Sequence, residues 1–91
     1  MAQVRFTNHL KRFFPDLKNG ERIDGQTVPE VIAGLEARHP GLASYLIDER
    51  GALRRHVNIF IGDTLVSDPE RLQDPVTPDS LIFIMQALSG G

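Results

Sequence analysis

One strongly marked helix limits the folds that this 91-residue chain can adopt. Thr27 can cap the start of the helix, Glu30 can complete a capping box with it, and Pro29 is tolerated in a first turn. Four apolar side chains then share one helical face: Val28, Val31, Ile32 and Leu35. Pro40 cannot continue a helix, so we predict that this one runs to about His39. A helix with one apolar face needs a second layer to cover that face.

Strand-like segments lie on both sides of this helix and can supply the second layer. They cover residues 3–7, 20–25, 56–61, 65–66 and 81–86. Residues 3–7 alternate polar and apolar side chains, and residues 20–25 stand between a turn signal and the helix. We therefore expect these two segments to form a hairpin. Residues 56–61 give the strongest strand, and the turn Gly62-Asp63 leads from it into the short return strand.

The connections between these elements carry weaker signals. We expect residues 8–19 to be irregular, because proline and glycine interrupt them. Leu42 to Leu53 is a looser connection, with one helical turn expected at Ala43–Ile47. Residues 67–79 are rich in proline and aspartate, which is typical of a loop.

These elements predict an α+β fold with a mixed sheet of about four to five strands packed on one main helix. If the first and last strands pair centrally and in parallel, the topology is a β-grasp with the helix held inside it. Periodicity alone leaves several α+β topologies open. We expect residues 1–91 to form a single domain, with residues 87–91 as a flexible C-terminal tail, because no linker divides the chain.

Composition argues against several kinds of partner and location. The formal net charge is −2, so bulk electrostatics give no reason to expect a nucleic-acid partner. No apolar run approaches the ~20 residues that cross a bilayer, and no signal-peptide pattern opens the sequence. We therefore expect a cytoplasmic protein with no membrane partner.

The sequence also lacks the patterns of an enzyme or a metal site. There is no cysteine, and the three histidines, His9, His39 and His56, lack metal-ligand spacing. No Ser-His-Asp arrangement and no glycine-rich phosphate loop is present, so we expect no intrinsic catalytic residue. We accordingly assign no metal ligand and no bound cofactor.

Alternation along the two strongest strands predicts an apolar patch on the sheet face away from the helix. Ile82 and Ile84 are expected to face the helix, so their neighbours point outward. Exposed apolar patches on small proteins often bind partner proteins. The candidate docking residues are therefore Phe60, Phe83 and Met85. The alternative is that residues 8–17, which contain two phenylalanines, fold over this face.

A basic cluster precedes the strongest strand. It consists of Arg50, Arg54, Arg55 and His56. Such a cluster is compatible with an acidic surface on a partner and also with a solvated face.

The segment Leu88-Ser89-Gly90-Gly91 follows the last strand almost directly. Glycine adds no side-chain packing, so this segment is either frayed or functional. An enzyme that activates a carboxylate must bring it into line with a nucleoside triphosphate, and residues without Cβ atoms can thread a narrow channel. In that interpretation Gly91 carries the activated acyl group and Gly90 accompanies it. Ser89 and Leu88 complete the arm, and the partner supplies the catalytic groups.

Two segments resemble the MoaD/ThiS sulfur carriers. Leu35 to Val66, LEARHPGLASYLIDERGALRRHVNIFIGDTLV, is similar to the helix end, connection and central hairpin of that family. Ile82 to Gly91 is similar to its last strand and AVAGG-type tail, here ALSGG. The resemblance is closest to the cysteine-biosynthesis branch. Two positions depart from the family, which often has proline where Gln86 stands and asparagine where Gly62 stands.

This resemblance implies a ubiquitin-like β-grasp fold. It also implies that Gly91 is adenylated by an enzyme of the ubiquitin-activating type and is then converted to a thiocarboxylate that donates sulfur. ATP would be used by that enzyme, and the sulfur would be carried on Gly91. The other implied partners are a sulfur-accepting synthase and a metalloprotease that could trim or release the tail.

Two other functions stay open on the sequence. A ubiquitin-like protein modifier would transfer Gly91 to target lysines through the same adenylate. A non-covalent binding module would use the apolar sheet face and ignore the tail. The pathway that receives the sulfur is also open among cysteine, molybdopterin, thiazole and specialised metabolites.

Overall fold

A mixed five-stranded sheet is the centre of the computed structural model, which describes residues 1–18 and 20–86. Its strands are β1 Ala2–Phe6, β2 Glu21–Ile23, β3 Val57–Ile61, β4 Thr64–Leu65 and β5 Leu81–Gln86. The helices are α1 Asn8–Phe13, α2 Val28–Arg38 and α3 Leu42–Leu46. Within this described part, no helix has the length and apolar character needed to cross a membrane.

The last strand lies in the middle of the sheet, whose order is β2-β1-β5-β3-β4. β5 pairs in parallel with β1, with Gln3 opposite Leu81 and Phe6 opposite Ile84. Its other edge pairs antiparallel with β3, and β2 and β4 complete the two outer edges. The first and last strands are therefore central and parallel, and the predicted β-grasp is confirmed.

Helix α2 starts at the cap that the sequence predicts. The Glu30 amide donates to Thr27 Oγ1 at 3.3 Å. The Glu30 carboxylate accepts from the amide of Gln26 at 3.0 Å, one residue earlier than in a standard capping box. The helix ends at Arg38, with His39 as its C-cap, close to the predicted end. Its buried residues are the four predicted ones: Val28, Val31, Ile32 and Leu35.

The hydrophobic core fills the space between the sheet and the helices. Val57 and Ile59 of β3, and Ile82 and Ile84 of β5, are all nearly inaccessible. They join the apolar face of α2 and the buried leucines of α3 in one cluster. The predicted inward orientation of Ile82 and Ile84 is therefore confirmed.

The prediction of irregular structure over residues 8–19 is wrong for its first half, where α1 forms. The N-terminal signals of this helix are weak, because Thr7 makes no side-chain capping bond and the first turn has no acidic residue, although Lys11 and Arg12 stand in its last turn. Its Leu10 is fully buried in the core, so tertiary packing stabilises a helix too short to persist alone. The return strand β4 also begins one residue earlier than predicted, at Thr64.

The two-residue turn between β3 and β4 requires a left-handed residue. Ile61 pairs with Thr64, and Gly62 between them has φ +63°. A positive φ at the first central position is typical of a type II′ hairpin turn. Glycine adopts a positive φ without the steric cost of a Cβ atom, so Gly62 suits this position of the turn.

Glu36 fixes the connection between α2 and α3. Its carboxylate accepts hydrogen bonds from the amides of Gly41 and Ala43, the latter at 2.9 Å. These bonds hold the pKa of Glu36 below its usual value. They also position the first turn of α3, one residue earlier than the predicted helical turn.

Gly34 lets α2 approach β2 closely. A Cβ atom at this position would lie 2.6 Å from Cγ2 of the buried Ile23. We predict that Gly34→Ala lowers the free energy of unfolding by about 1 kcal/mol, because an overpacking cost of ~1–3 kcal/mol exceeds the gain of ~1 kcal/mol in helix propensity. Urea denaturation measures the change.

The exposed neighbour Ala33 provides the control, because Ala33→Gly isolates the propensity term without a core contact. That variant should lose about 1 kcal/mol. A Gly34→Ala protein more stable than wild type would contradict the close packing of α2 on β2.

Candidate functional site

Gln86, the last described residue, lies at the end of β5 between β3 and Thr7. Gln86 pairs with Val57 at the start of β3. On the other side its amide donates to Thr7 Oγ1 at 3.2 Å, and the Thr7 amide donates to the Ile84 carbonyl. Gln86 is therefore held by β3 on one side and by Thr7, which directly follows β1, on the other. The predicted tail residues Leu88, Ser89, Gly90 and Gly91 lie outside the described residues.

The open face of the sheet carries a row of apolar side chains. Phe83 lies directly opposite Phe60, and Phe60 lies opposite Leu65 of β4. On its other side Phe83 has Arg5 of β1 as its neighbour. Phe83 is 37% exposed and Leu65 47%, whereas Phe60 is partly buried. The structure thus brings two of the three candidate docking residues into direct cross-strand contact range.

The third candidate docking residue extends this row toward the end of β5. Met85 is partly buried, on the same face as Phe83, and lies opposite Asn58. At the other end, Leu81 is 43% exposed beside a cleft of about 290 Å³. The cleft is lined by Arg5, Phe6, Gly62, Leu81 and Phe83. We call Phe60, Phe83, Met85, Leu65 and Leu81 the open-face patch.

Sequence reasoning left Leu65 out of the candidate residues, although a signal for it was present. A two-residue turn at Gly62-Asp63 places Ile61 opposite Thr64, and therefore Phe60 opposite Leu65. The turn length alone thus assigns Leu65 to the open face.

The segment that could have covered this face packs elsewhere. Leu10 and Leu17 point into the core. The rings of Phe13 and Phe14 lie 5.4 and 5.8 Å from the ring of Tyr45 in α3. Residues 8–17 therefore pack on the helical side, and they leave the open-face patch uncovered.

The predicted basic cluster divides into two parts. Arg50 belongs to a turn in which the Asp48 carboxylate accepts from the amides of Arg50 and Ala52. These hydrogen bonds lower the pKa of Asp48. Arg54, Arg55 and His56 instead precede β3 directly, at the end of the sheet where Gln86 lies. The second part therefore borders the chain exit.

His39 has a structural partner. Its Nε2 lies 2.8 Å from the Glu21 carboxylate, and both side chains are about nine-tenths buried. Arg38 lies 3.5 Å from the same carboxylate. This group joins the end of α2 to β2, on the opposite edge of the sheet from β3.

Comparison with known proteins identifies a family. The family model described as "ThiS family" matches residues 4–91. The sulfur carrier protein CysO of Mycobacterium tuberculosis is 33% identical over 69 residues, which are 74% of each chain.

Solved structures agree with this match. A chain of the Amycolatopsis orientalis BexX/CysO complex superposes with a TM-score of 0.83 and 28% identity, covering 100% of both chains. SAMP1 of Haloferax volcanii has a TM-score of 0.75 with 20% identity, covering 99% of this chain and 98% of its own. The second likeness concerns the fold alone.

The hydroxyl of Thr7 should hold the last turn of β5. We predict that Thr7→Val speeds hydrogen exchange of the Gln86 amide by about fivefold, because a net hydrogen bond contributes about 1 kcal/mol. Exchange of individual amides can be followed by NMR. The side chain makes no capping bond to α1, so that helix should be unaffected.

Thr7→Ser keeps the hydroxyl and serves as the matched control, with exchange near the wild-type rate. Equal exchange rates in the valine and serine variants would show that this hydrogen bond does not hold the exit.

Proposed function

This chain belongs to the ThiS family, and on that premise we propose that it is a sulfur carrier protein whose Gly91 carboxylate is adenylated and then converted to a thiocarboxylate. The observation that carries the proposal is the family match over residues 4–91, which includes Gly90 and Gly91. The similarity to the sulfur carrier protein CysO and to a chain of the BexX/CysO complex supports the carrier role.

The proposed reaction needs no catalytic side chain in the carrier. The Gly91 carboxylate attacks the α-phosphorus of ATP held by the partner, and pyrophosphate leaves. Sulfide then attacks the carbonyl carbon of the acyl-adenylate, the bond to AMP breaks, and AMP leaves, which gives the thiocarboxylate with no change of oxidation state. Positioning and charge stabilisation come from the adenylating enzyme, and the carrier contributes a segment narrow enough to enter its site. A sulfur-accepting synthase is the proposed second partner.

We assign the open-face patch to docking on the adenylating enzyme. The patch and the chain exit share β5, and Phe83 stands only about 10 Å before Gln86 at ~3.3 Å per residue. A protein that takes up residues 87–91 therefore has this face within reach. Burying each exposed apolar side chain can contribute ~1.5–3 kcal/mol before the costs of association.

Mass spectrometry tests the proposed chemistry. After incubation with the adenylating enzyme, ATP and a sulfur source, the intact chain should gain about 16 Da, because sulfur replaces one oxygen of the group that the enzyme positions. Deletion of Gly91, or one bulky residue added after it, should abolish the gain. Failure to form either an adenylate or a thiocarboxylate would reject the sulfur carrier function.

Two further observations would identify the alternative functions. Lysine-linked adducts on other proteins would indicate a protein modifier that transfers its adenylated end. Full function after removal of residues 89–91 would indicate a non-covalent binding module.

A charge in the middle of the open-face patch should block docking without unfolding the domain. We predict that Phe60→Asp lowers kcat/KM for adenylation at least tenfold, because it places a carboxylate against Phe83 in a surface that must lose water. ATP–pyrophosphate exchange measures the rate, and circular dichroism verifies the fold.

The exposed Gln73 lies on the connection between β4 and β5 and provides the control. Gln73→Asp adds the same charge outside the patch and should leave the rate near that of wild type. A folded Phe60→Asp variant with full activity would rule out this face as the docking site.

A further inference from the structure

A row of rings joins three separate elements beside the chain exit. Phe13 at the end of α1 lies 5.4 Å from Tyr45 of α3. Tyr45 in turn lies 5.3 Å, edge-on, from His56, which directly precedes β3. Phe13 is 56% exposed, while Tyr45 and His56 are partly exposed. The rings therefore form one continuous surface on the helical side of the sheet, distinct from the open-face patch.

Cationic side chains flank this row of rings. Arg12 precedes Phe13, Arg55 precedes His56, and both are exposed. Within residues 1–18 and 20–86, the ion pairs are those of Glu21 with Arg38 and His39. No carboxylate of that part of the chain neutralises Arg12 or Arg55 at ion-pair distance. Among the described residues, no carboxylate at ion-pair distance competes with a partner for these two guanidinium groups.

The geometry of the sheet places these charges at the Gln86 end of β5. β3 runs antiparallel to β5 with Val57 opposite Gln86, so the residues directly before Val57 lie at that end of the strand pair. α1 follows β1 directly, and Thr7 at its start bonds to Gln86. At the opposite end of β5, Asp63 and Asp79 stand beside the first residues of the strand. These two carboxylates thus lie at the end of β5 away from Gln86, and the whole chain is slightly acidic.

We propose that Arg12, Phe13, Tyr45, Arg55 and His56 form an exit ridge that docks on an acidic protein surface at the mouth of the channel that takes up residues 87–91. The inference rests on the proposed function, because it assigns the partner as the protein that receives the tail. It adds a second contact surface of different chemistry, and that surface lies on a different face from the open-face patch.

Residues 87–91 are long enough to separate the ridge from the ATP phosphates. We therefore expect the ridge to contact acidic side chains at the mouth of the partner's channel and not the nucleotide. Five extended residues reach at most about 18 Å, at ~3.3–3.6 Å each. A tail extended into an active site would hold Gly91 and the ATP phosphates far from Arg55. The ridge instead meets the outer edge of the channel, where opposite charge speeds encounter and orients the carrier.

Charge reversal on the ridge tests the proposal. Arg55→Glu and Arg12→Glu each change the net charge by two units, and so does Arg71→Glu on the exposed connection between β4 and β5. We expect each ridge variant to lower kcat/KM for adenylation by about tenfold at low salt, with kcat unchanged, because steering acts on association. The deficit should shrink at high salt, where charges are screened. Arg71→Glu should stay near wild type.

A change in kcat/KM of the same size in Arg71→Glu and in the ridge variants would overturn the proposal, since bulk charge would then explain the loss. Unchanged rates in both ridge variants would also overturn it. The absence of any wild-type adenylation would instead count against the proposed function. A separate measurement then tests whether the ridge binds acidic partners.

That measurement is an NMR titration of the wild-type chain with a synthetic polyglutamate peptide. Amide shifts should cluster at residues 12–13, 45 and 55–56 and should disappear in Arg55→Glu but not in Arg71→Glu. Shifts centred on Lys18, Arg22 or Arg38, or no shifts, would reject the ridge as a surface for acidic partners.

Discussion

The parallel pairing of β1 with β5 is the interaction on which the rest of this structure depends. It joins residues that are almost 80 positions apart, from Gln3 with Leu81 to Phe6 with Ile84. The chain between these two parallel strands must return from the end of β1 to the start of β5. Helix α2 lies in this connection and packs on the sheet, where its four buried residues complete the core. The same pairing puts β5 at the centre, so the chain leaves the body between β1 and β3 rather than from an edge.

Register in this central strand divides the molecule into a core face and a contact face. Ile82 and Ile84 are buried, and Leu81 and Phe83 are exposed. A register shift of one residue would exchange the buried and the exposed side chains. Because the core requires apolar side chains, burial of Ile82 and Ile84 also determines which side chains of β5 face outward. The open-face patch and the starting point of residues 87–91 are thereby set by one strand. A partner cannot bind the patch without also being held at a fixed distance from Gln86.

Local patterns predicted the elements whose signals are local. The cap at Thr27, the apolar face of α2 and the alternation in β3 and β5 all appear as expected. α1 could not be predicted in this way, because its stability comes from burying Leu10 rather than from capping. The parallel β1–β5 pair and the row of rings from Phe13 to His56 join residues distant in the sequence, which no periodicity encodes. The proposed role of Gly91 rests on the family resemblance, since a diglycine by itself specifies no chemistry.

Two contact surfaces of different character constrain a partner more than either does alone. Burial of an apolar patch stabilises a complex but does not fix how the partner is rotated on that surface, because the hydrophobic effect is not directional. Charges at a separate place, such as Arg12 and Arg55, respond to orientation, since moving them away from opposite charge removes the attraction. The open-face patch reaches the end of β5 at Met85, and the ridge borders the same end at His56, which contacts Tyr45 of α3. A partner that engages both would therefore hold the Gln86 end of β5 in one orientation, and the chemistry proposed for Gly91 depends on such positioning by the partner.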